Sequence, residues 1–397
     1  MKLISIHFPS KNLSLLWVKI AAVFFLLLGL AYRFFTSSLC YFHVSAPTES
    51  CNLFLGEWVP DFGGPAYTNA TCRTIEPPQN CLRNGRPDSD YVYWRWKPKD
   101  CDLPKLDPTN FFEIMKDKSL AFIGDSIMRN HVQSLLCILS QVEEAVEVYH
   151  DEAYKNRRWT FPSHNFTVSV VWAPFLTRAS TFEDDNGVSS GLTHLFLDEP
   201  DAIWSKQYNK FNYIVIGAGK WFLKSAIYHE QNVVVGCHNC HEKNTSELGF
   251  YYAYRKALNT TLEFMGRSGH RARRVFLRTT TPDHFENGEW DTGGYCNRTV
   301  PYRAGEVEVN GVDGRMRAVE MDEFDRAAGK LSGLELLDTT LMSVLRPDGH
   351  PGVYRRFHPY EEKGKDGRIQ NDCLHWCLPG PIDTWNDLIM AMLVAHK

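Results

Sequence analysis

The stretch 118–139 restricts the possible folds more than any other part of this chain. Residues 119–123, with the sequence SLAFI, form an apolar run of the length expected for a buried strand. Gly124-Asp125-Ser126 interrupts this run. The residues that follow are typical of a helix, with an apolar set formed by Ile127, Leu135, Ile138 and Leu139. The stretch therefore predicts a strand, a glycine turn and a helix, with Ser126 at the carboxyl end of the strand.

Strand-like and helix-like segments alternate along the rest of the chain. The predicted strands are 167–172, 213–216, 275–279 and 335–337, and the predicted helices are 249–266 and 381–396. This alternation predicts an α/β fold with a parallel sheet that is covered on both faces. Functional groups then belong at the carboxyl ends of the strands. Ser126, the glycine loop 217–219 and the segment 281–284 all fall there. Asp283 and His284 are adjacent and should point apart, so we expect them to line a site at most.

Ser126 has the surroundings that a nucleophile requires. Its backbone N–H lies at a predicted helix N-terminus, where the dipole favours the negative charge of an oxyanion. The same tripeptide also occurs in ordinary turns and helix caps. Near the other end of the chain, Asp372 and His375 are three residues apart and can share one face of a turn or short helix. That segment alone is equally typical of a capped helix start with a structural histidine. Together the two segments predict an acyl-transfer set in the order Ser, Asp, His.

These motifs resemble those of the plant trichome birefringence-like family of polysaccharide O-acetyltransferases. The resemblance extends from about Cys51 to the C-terminus and rests on the segments 93–98, 122–130, 346–351 and 371–385. It implies an SGNH/GDSL-like three-layer sandwich with a central parallel sheet. It also implies that Ser126 is the nucleophile and that Asp372 and His375 complete a triad. Two positions depart from the family pattern: Lys220 stands where His is frequent, and His131 stands where Gln is frequent.

Residues around the turn are expected to support the oxyanion. The Ser126 N–H is one candidate donor. Arg129, one turn further along the helix, is expected either to donate to the oxyanion or to anchor Asp125. A second donor is expected in the loop after the third strand. The candidate supporting set is Gly124, Asp125, Arg129 and Gly219.

The resemblance implies transfer of an acetyl group onto hydroxyls of a hemicellulose in the Golgi, through an acetyl-serine intermediate. The segments 237–240, 250–262 and 343–346 are most similar to mannan acetyltransferases, and 51–60 also resembles xyloglucan enzymes. The expected donor is acetyl-CoA, with no bound cofactor, and proteins that supply the acetyl donor would be partners. The alternatives are a polysaccharide acetylesterase with the same triad and a non-catalytic wall-glycan binding protein. The intact Ser-Asp-His set argues against the last.

The N-terminus predicts a membrane anchor. Residues 13–35 are predominantly apolar and long enough to span a bilayer. Lys2 and Lys11 precede them, which places residues 1–12 in the cytosol and makes 36–50 a lumenal stem. The prediction is a single-pass type II protein of the Golgi membrane with a lumenal catalytic domain. A cleaved signal peptide is the alternative, but no small-x-small cleavage site closely follows the apolar stretch.

Ten of the eleven cysteines lie between Cys51 and Cys377, which favours disulfides in an oxidising compartment. Metal binding is rejected at 237–241 and 373–377, because no second cysteine pair has zinc-finger spacing. The sequence alone leaves the connectivity open. The family resemblance implies the pairs Cys51–Cys101, Cys72–Cys137, Cys81–Cys377 and Cys296–Cys373, which leaves Cys237 and Cys240 to each other.

Glycosylation sequons on the predicted lumenal side also fit the secretory pathway. They lie at Asn69, Asn165, Asn244, Asn259 and Asn297, whereas the sequon at Asn12 is cytosolic and should stay bare. The loop-rich, cysteine-stapled segment 51–108 is expected to pack on a catalytic α/β domain of residues 109–397. A net charge of −4 argues against nucleic acid as a partner. The aromatic content of 13% suits both a core and stacking on sugar rings.

Overall fold

The computed structural model describes residues 51–180, 192–240, 244–267, 269, 272–361 and 369–395. The predicted cytosolic segment, membrane anchor and stem lie outside these residues. Among the helices of the described part, none has both the length and the apolar character needed to cross a bilayer.

The described residues form thirteen strands and seven α-helices. The strands are β1 (Gly56–Pro60), β2 (Trp94–Pro98), β3 (Ser119–Gly124), β4 (Val146–His150), β5 (Arg157–Phe161), β6 (Phe166–Trp172), β7 (Thr177–Ser180), β8 (Thr193–Pro200), β9 (Tyr213–Ile216), β10 (Ala226–Glu230), β11 (Val233–His238), β12 (Arg274–Arg278) and β13 (Leu334–Leu337). The helices are α1 (Pro108–Met115), α2 (Ser126–Leu139), α3 (Ala202–Ser205), α4 (Phe250–Arg267), α5 (Gly311–Ala328), α6 (Thr340–Val344) and α7 (Asp383–Val394).

The main sheet has seven strands in the order β13-β12-β9-β3-β6-β5-β4. The first five are parallel, as predicted, whereas β5 runs antiparallel to both of its neighbours, β6 and β4. The prediction of a purely parallel sheet is therefore wrong at one edge. The physical reason is the short connection from β5 to β6, in which Asn165 takes a left-handed conformation with φ 47°. A connection this short can join only antiparallel neighbours.

The strand β3 lies at the centre of the sheet and contributes to both of its faces. Leu120 and Phe122 join the apolar core that includes residues of α1, α2 and α7, whereas Ala121 and Ile123 join the core that includes residues of α4 and α5. Side chains alternate between the two faces of a strand, so a continuously apolar strand must be covered on both sides. The result is a layer of helices on each face of the sheet, an α/β arrangement that fits an SGNH-like domain.

A second sheet of four strands, in the order β11-β10-β8-β7, was not predicted. Its strand β8 has the sequence THLFLDEP, in which polar and acidic residues interrupt the apolar run. The strands β1 and β2 form a separate antiparallel pair in the segment after Cys51. Trp58 and Trp96 of this pair belong to the core that includes α1, and the Trp58 indole donates to the Met342 carbonyl over 2.8 Å. The segment therefore packs on the rest of the described chain.

Five disulfides link the described residues. Four of them are the pairs that the family resemblance implies, and the fifth joins Cys237 to Cys240: Cys51–Cys101, Cys72–Cys137, Cys81–Cys377, Cys296–Cys373 and Cys237–Cys240.

Candidate active site

Gly124 makes the turn at the end of β3 possible. Its φ is 154°, and a Cβ at this position would lie 2.1 Å from the carbonyl oxygen of Gly217. No side chain fits in that space, so only glycine allows the end of β9 to pass this close. The glycine loop after β9 therefore lies directly beside the Ser126 turn, as the order of the strands predicts.

Asp125 caps the helix that begins at Ser126. Its carboxylate accepts from the Ile127 N–H over 3.0 Å. Burial raises the pKa of Asp125, and the nearby guanidinium of Arg278 opposes that shift. Ser126 itself is half-buried at the first position of α2, and no hydrogen bond among the described residues uses its backbone N–H. That N–H can therefore stabilise an anion at the positive end of the helix.

Asp372 and His375 form a hydrogen-bonded pair. The two carboxylate oxygens of Asp372 lie 2.9 and 3.1 Å from Nδ1 of His375. The same carboxylate accepts from the backbone N–H groups of Leu374 and His375. Burial disfavours its charge, but the charge and hydrogen bonds of His375 outweigh burial and hold the pKa of Asp372 well below its usual range. The carboxylate thus stays ionised and orients the imidazole ring.

Asn130 connects the segment that carries His375 to the helix of Ser126. Its amide oxygen accepts from the Trp376 N–H over 2.7 Å, and its amide nitrogen donates to the Trp376 carbonyl over 3.2 Å. Asn130 lies one turn beyond Ser126 on α2, and Trp376 directly follows His375. These two hydrogen bonds tie the segment of His375 to the helix that begins at Ser126. Sequence reasoning had not assigned Asn130 a role, although a polar residue within an apolar helix pattern was a usable signal.

The other predicted supporting residues also lie near this turn. A Cβ at Gly219 would be 3.5 Å from the Asp125 carboxylate, so Gly219 borders the cap. The guanidinium of Arg129 lies 5.1 Å from the ring centre of Trp172. Of the two roles expected for Arg129, the anchoring of Asp125 needs correction, because the basic group with the largest effect on this carboxylate is the buried Arg278. The role of Arg129 as an oxyanion donor stays a prediction.

Asp283 and His284 do point apart, as predicted. The Asp283 carboxylate lies 3.2 Å from the ammonium of Lys220, which also pairs with Asp313 over 2.6 Å. The ring of His284 instead meets the ring of His350. Lys220, the first departure from the family pattern, therefore belongs to an ion cluster after β9.

His131, the second departure, lies in the core. Its ring is fully buried and makes edge-to-face contacts with two aromatic rings. Its ring centre lies 4.9 Å from that of Phe122 and 5.2 Å from that of Trp385. Burial holds the pKa of His131 well below its usual value, so the ring is neutral. This position bears on packing and not on the chemistry at Ser126.

Two indoles lie at the ends of the two strands that pair with β3, the strand that leads to Ser126. Trp172 ends β6, and Trp221 lies in the turn after β9. Both are half-buried, and their ring centres are 5.6 Å apart at an angle of 85°. Sequence reasoning had not assigned either of them a role, although aromatic residues at the ends of neighbouring strands would have pointed to them.

The sequons differ in their surroundings. Asn69, Asn165, Asn244 and Asn297 are exposed. Asn259 is different, because it lies inside α4, its amide donates to Glu323 and the hydroxyl-bearing Thr261 of its sequon is fully buried. The expectation of a glycan at Asn259 therefore conflicts with the fold.

Two family models match the chain. One is described as PC-Esterase, a GDSL/SGNH-like acyl-esterase family found in Pmr5 and Cas1p, and covers residues 103–392. The chain belongs to this family. The other is the PMR5 N terminal Domain, over residues 49–102. In this PC-esterase protein the match to the PMR5 N terminal Domain ends at residue 102, and the PC-Esterase match begins at residue 103.

Plant proteins are similar to this PC-esterase protein over most of its length. Protein trichome birefringence-like 25 of Arabidopsis thaliana is 55% identical over 88% of this chain and 78% of its own length. Protein trichome birefringence-like 26 of the same plant is 52% identical over 93% and 85%. Xyloglucan O-acetyltransferase 1, also from Arabidopsis thaliana, is 48% identical over 87% and 81%. The relatives that carry a functional name support an acyltransferase type of enzyme.

Proposed function

We propose that this protein is an O-acetyltransferase that moves an acetyl group onto hydroxyls of a hemicellulose through an acetyl-serine intermediate. The observation that carries the proposal is the Asp372–His375 pair, which Asn130 ties to the helix that begins at Ser126. A weak hydroxyl nucleophile needs an oriented imidazole as its base, and we propose that His375 serves Ser126 in this way. The xyloglucan O-acetyltransferase names of relatives at 48% and 45% identity support the transferase class.

In the first half-reaction, the Ser126 Oγ attacks the carbonyl carbon of the acetyl donor while His375 takes the hydroxyl proton. The tetrahedral oxyanion then collapses, the bond to the donor's leaving group breaks, and His375 returns its proton to that group. The product is an acetyl ester on Ser126. We propose acetyl-CoA as the donor, whose leaving group is then a thiol.

In the second half-reaction, His375 takes the proton of a sugar hydroxyl, and the sugar oxygen attacks the acetyl-serine carbonyl. The ester bond to Ser126 breaks, and the proton passes back to its Oγ. Asp372 stabilises the imidazolium that forms in both steps and does not itself exchange protons. The Ser126 N–H and the glycine loop at Gly219 are the proposed oxyanion donors.

The sugar chain is proposed to bind across the indoles at the ends of β6 and β9. Trp172 and Trp221 present half-buried aromatic surfaces on both sides of the Ser126 strand. The apolar face of a sugar ring packs well on such surfaces. The sequence resemblance favours mannan as the acceptor, and the names of three relatives favour xyloglucan. A Golgi location with residues 13–35 as a type II membrane anchor completes the proposal.

The second candidate is a polysaccharide acetylesterase, which the family description as acyl-esterases favours. Both enzymes use the same triad and differ in whether water or a sugar hydroxyl attacks the acetyl-serine. The test is to incubate the protein with labelled acetyl-CoA and unacetylated mannan, xyloglucan or xylan oligomers. We expect label on one acceptor class, and none with Ser126→Ala. Release of labelled acetate without labelled glycan would contradict the transferase, as would a Ser126→Ala variant with wild-type turnover.

A further inference from the structure

Two buried imidazoles lie directly behind the proposed base. Nδ1 of His284 is 2.7 Å from Nε2 of His350. The other nitrogen of His350 is 2.8 Å from the backbone carbonyl oxygen of His375. The other nitrogen of His284 is 2.9 Å from the carbonyl oxygen of Val344. These groups form one chain of three short contacts, which begins at one carbonyl and ends at the other.

The three contacts need more protons than two neutral rings supply. Each of the three contacts needs one proton, and a carbonyl can only accept. A neutral imidazole has a single N–H, so two neutral rings supply two protons for three contacts. In a neutral pair, one contact would therefore set two lone pairs against each other at hydrogen-bond distance. One additional proton satisfies all three contacts.

We infer that His284 and His350 share one additional proton, so that the pair is a single buried cation that fixes the backbone of the proposed base His375. The pair contacts this segment at more than one point. The backbone N–H of His284 donates to the Cys373 carbonyl over 3.0 Å, and the His350 ring stacks on Trp376 at 4.3 Å. Both histidines are therefore positioning residues, because neither is proposed to touch the reacting atoms.

The charges around the pair allow one extra proton and not two. Burial lowers the pKa of both rings, and their mutual repulsion lowers the pKa of His350 further. These effects oppose even the one shared proton, which the three hydrogen bonds must outweigh, and they leave no room for a second. The charged and titratable groups that face the pair are Asp283, Asp348, Asp372, Lys220, Arg86 and His375. Two of these carboxylates have basic partners of their own, Lys220 and Arg346. Asp372 also faces His350, and its negative charge favours a proton on the pair.

This pair gives the proposed reaction a high-pH limit. When the shared proton is lost, one carbonyl faces a bare ring nitrogen, and the segment of His375 loses a hydrogen bond. Catalysis then needs a protonated pair, so the rate falls at high pH. The kinetic part of this inference depends on the proposed function, whereas the protonation of the pair does not.

The protonation state of the pair is tested directly by NMR of the full-length protein, with a nitrogen isotope label in its histidine rings. The sample is titrated from about pH 5 to about pH 9. We expect one proton with a strongly downfield shift that couples His284 and His350, and both rings to lose imidazolium character together as the pH rises. Two rings that are both neutral over this whole range would overturn the inference, whatever activity the protein has.

The variant His284→Asn provides the mechanistic test. The asparagine amide takes the place of Nδ1 and donates to Nε2 of His350, whose own Nδ1–H remains for the His375 carbonyl. Two contacts then have two donors and need no extra proton. We expect the high-pH fall in kcat to disappear in this variant. His350→Leu removes the hydrogen bond altogether, and we expect kcat to drop about 10- to 100-fold with little change in KM.

The matched control is His131→Gln, which replaces another fully buried histidine that lies outside the chain of contacts. It should keep both the downfield proton and the high-pH fall. Thermal unfolding and the intact Cys296–Cys373 disulfide verify the fold of each variant. A His284→Asn enzyme with the same high-pH fall as the wild type would refute the shared proton as its cause.

Discussion

At the scale of single residues, Asp372 is the group whose charge matters most for the proposed chemistry. Its carboxylate accepts from two backbone N–H groups and from the His375 ring at once. An acceptor in this position requires the His375 proton to sit on Nδ1, which leaves Nε2 free to act as the base. The geometry therefore selects the reactive tautomer.

Asp372→Asn reverses this selection. The amide oxygen can keep the two backbone N–H donors, so its NH₂ group turns toward Nδ1 and the ring proton moves to Nε2. We expect a fall in kcat of about 10³–10⁴-fold with little loss of stability. Acetyl transfer and thermal unfolding measure the two effects. Asp322→Asn, at an exposed carboxylate on α5, is the control, and equal activity of the two variants would contradict the assigned role.

Ser126, Asp372 and His375 could be predicted as a catalytic set from the sequence, because the turn and the three-residue spacing are local patterns. Sequence reasoning did not identify Asn130, Arg278 or the His284–His350 pair. Each of these acts across a large sequence separation, and the contact depends on how helices and strands pack. A single sequence contains no direct signal for such contacts.

At the scale of elements, the helix α7 combines a packing role with two unusual carboxyl groups. Asp383 accepts from the Tyr67 hydroxyl, and Asp387 accepts from the Leu106 N–H. Burial raises the pKa of Asp383 to about 6 and that of Asp387 to about 7, where the neighbouring Asp383 charge adds to the effect. When these two buried carboxyl groups lose their protons near neutral pH, their negative charge destabilises the folded state.

The sign of the effect follows from linkage. A carboxyl group whose folded-state pKa is raised stabilises the fold at low pH, and that stability is lost as the pH rises through the folded-state pKa. Asp387→Asn keeps an acceptor for Leu106 and removes the charge. We expect it to raise the free energy of unfolding by on the order of 2 kcal/mol at pH 8, and to change it little near pH 4. Denaturant unfolding at the two pH values measures this. A gain that is the same at both would show that charge is not the cause.

Elements were predicted well where the apolar pattern was strong. The buried strands β3, β9 and β12 and the amphipathic helix α4 were all expected close to their observed bounds. The antiparallel strands β4 and β5 were missed because their pattern is weak. All five residues of β4 are exposed, and β5 contains two arginines. Such edge strands are held in the sheet by hydrogen bonds to the neighbouring strand more than by burial of their side chains.

At the scale of the whole molecule, disulfides hold the segment of the proposed base. Cys373 and Cys377 bracket His375 and connect to Cys296 and Cys81. The segment itself contains no helix. One isolated β-bridge pairs Asp372 with Gly352, and separate hydrogen bonds from Asn130 and His284 also reach the segment. Long-range covalent links therefore replace the sheet as the support for this part of the site.

Removing Cys296–Cys373 should therefore harm both fold and activity. Its sequence separation is 77, which corresponds to about 4–5 kcal/mol in the chain-entropy model. We expect the double variant Cys296→Ser, Cys373→Ser to lose activity at temperatures where far-UV circular dichroism still reports a folded chain. The matched control removes Cys237–Cys240, which has a separation of 3 and is worth only about 2 kcal/mol. Equal loss of activity in the two double variants would contradict this account.

The central claim is that Ser126 carries the acetyl group between donor and acceptor. The most direct measurement is peptide mass spectrometry after incubation with labelled acetyl-CoA in the absence of acceptor. The account predicts an acetyl ester on the peptide that contains Ser126, which disappears when a hemicellulose acceptor is added and reappears as label on the glycan. Labelled glycan formed while Ser126 stays unmodified, and formed equally by Ser126→Ala, would contradict it.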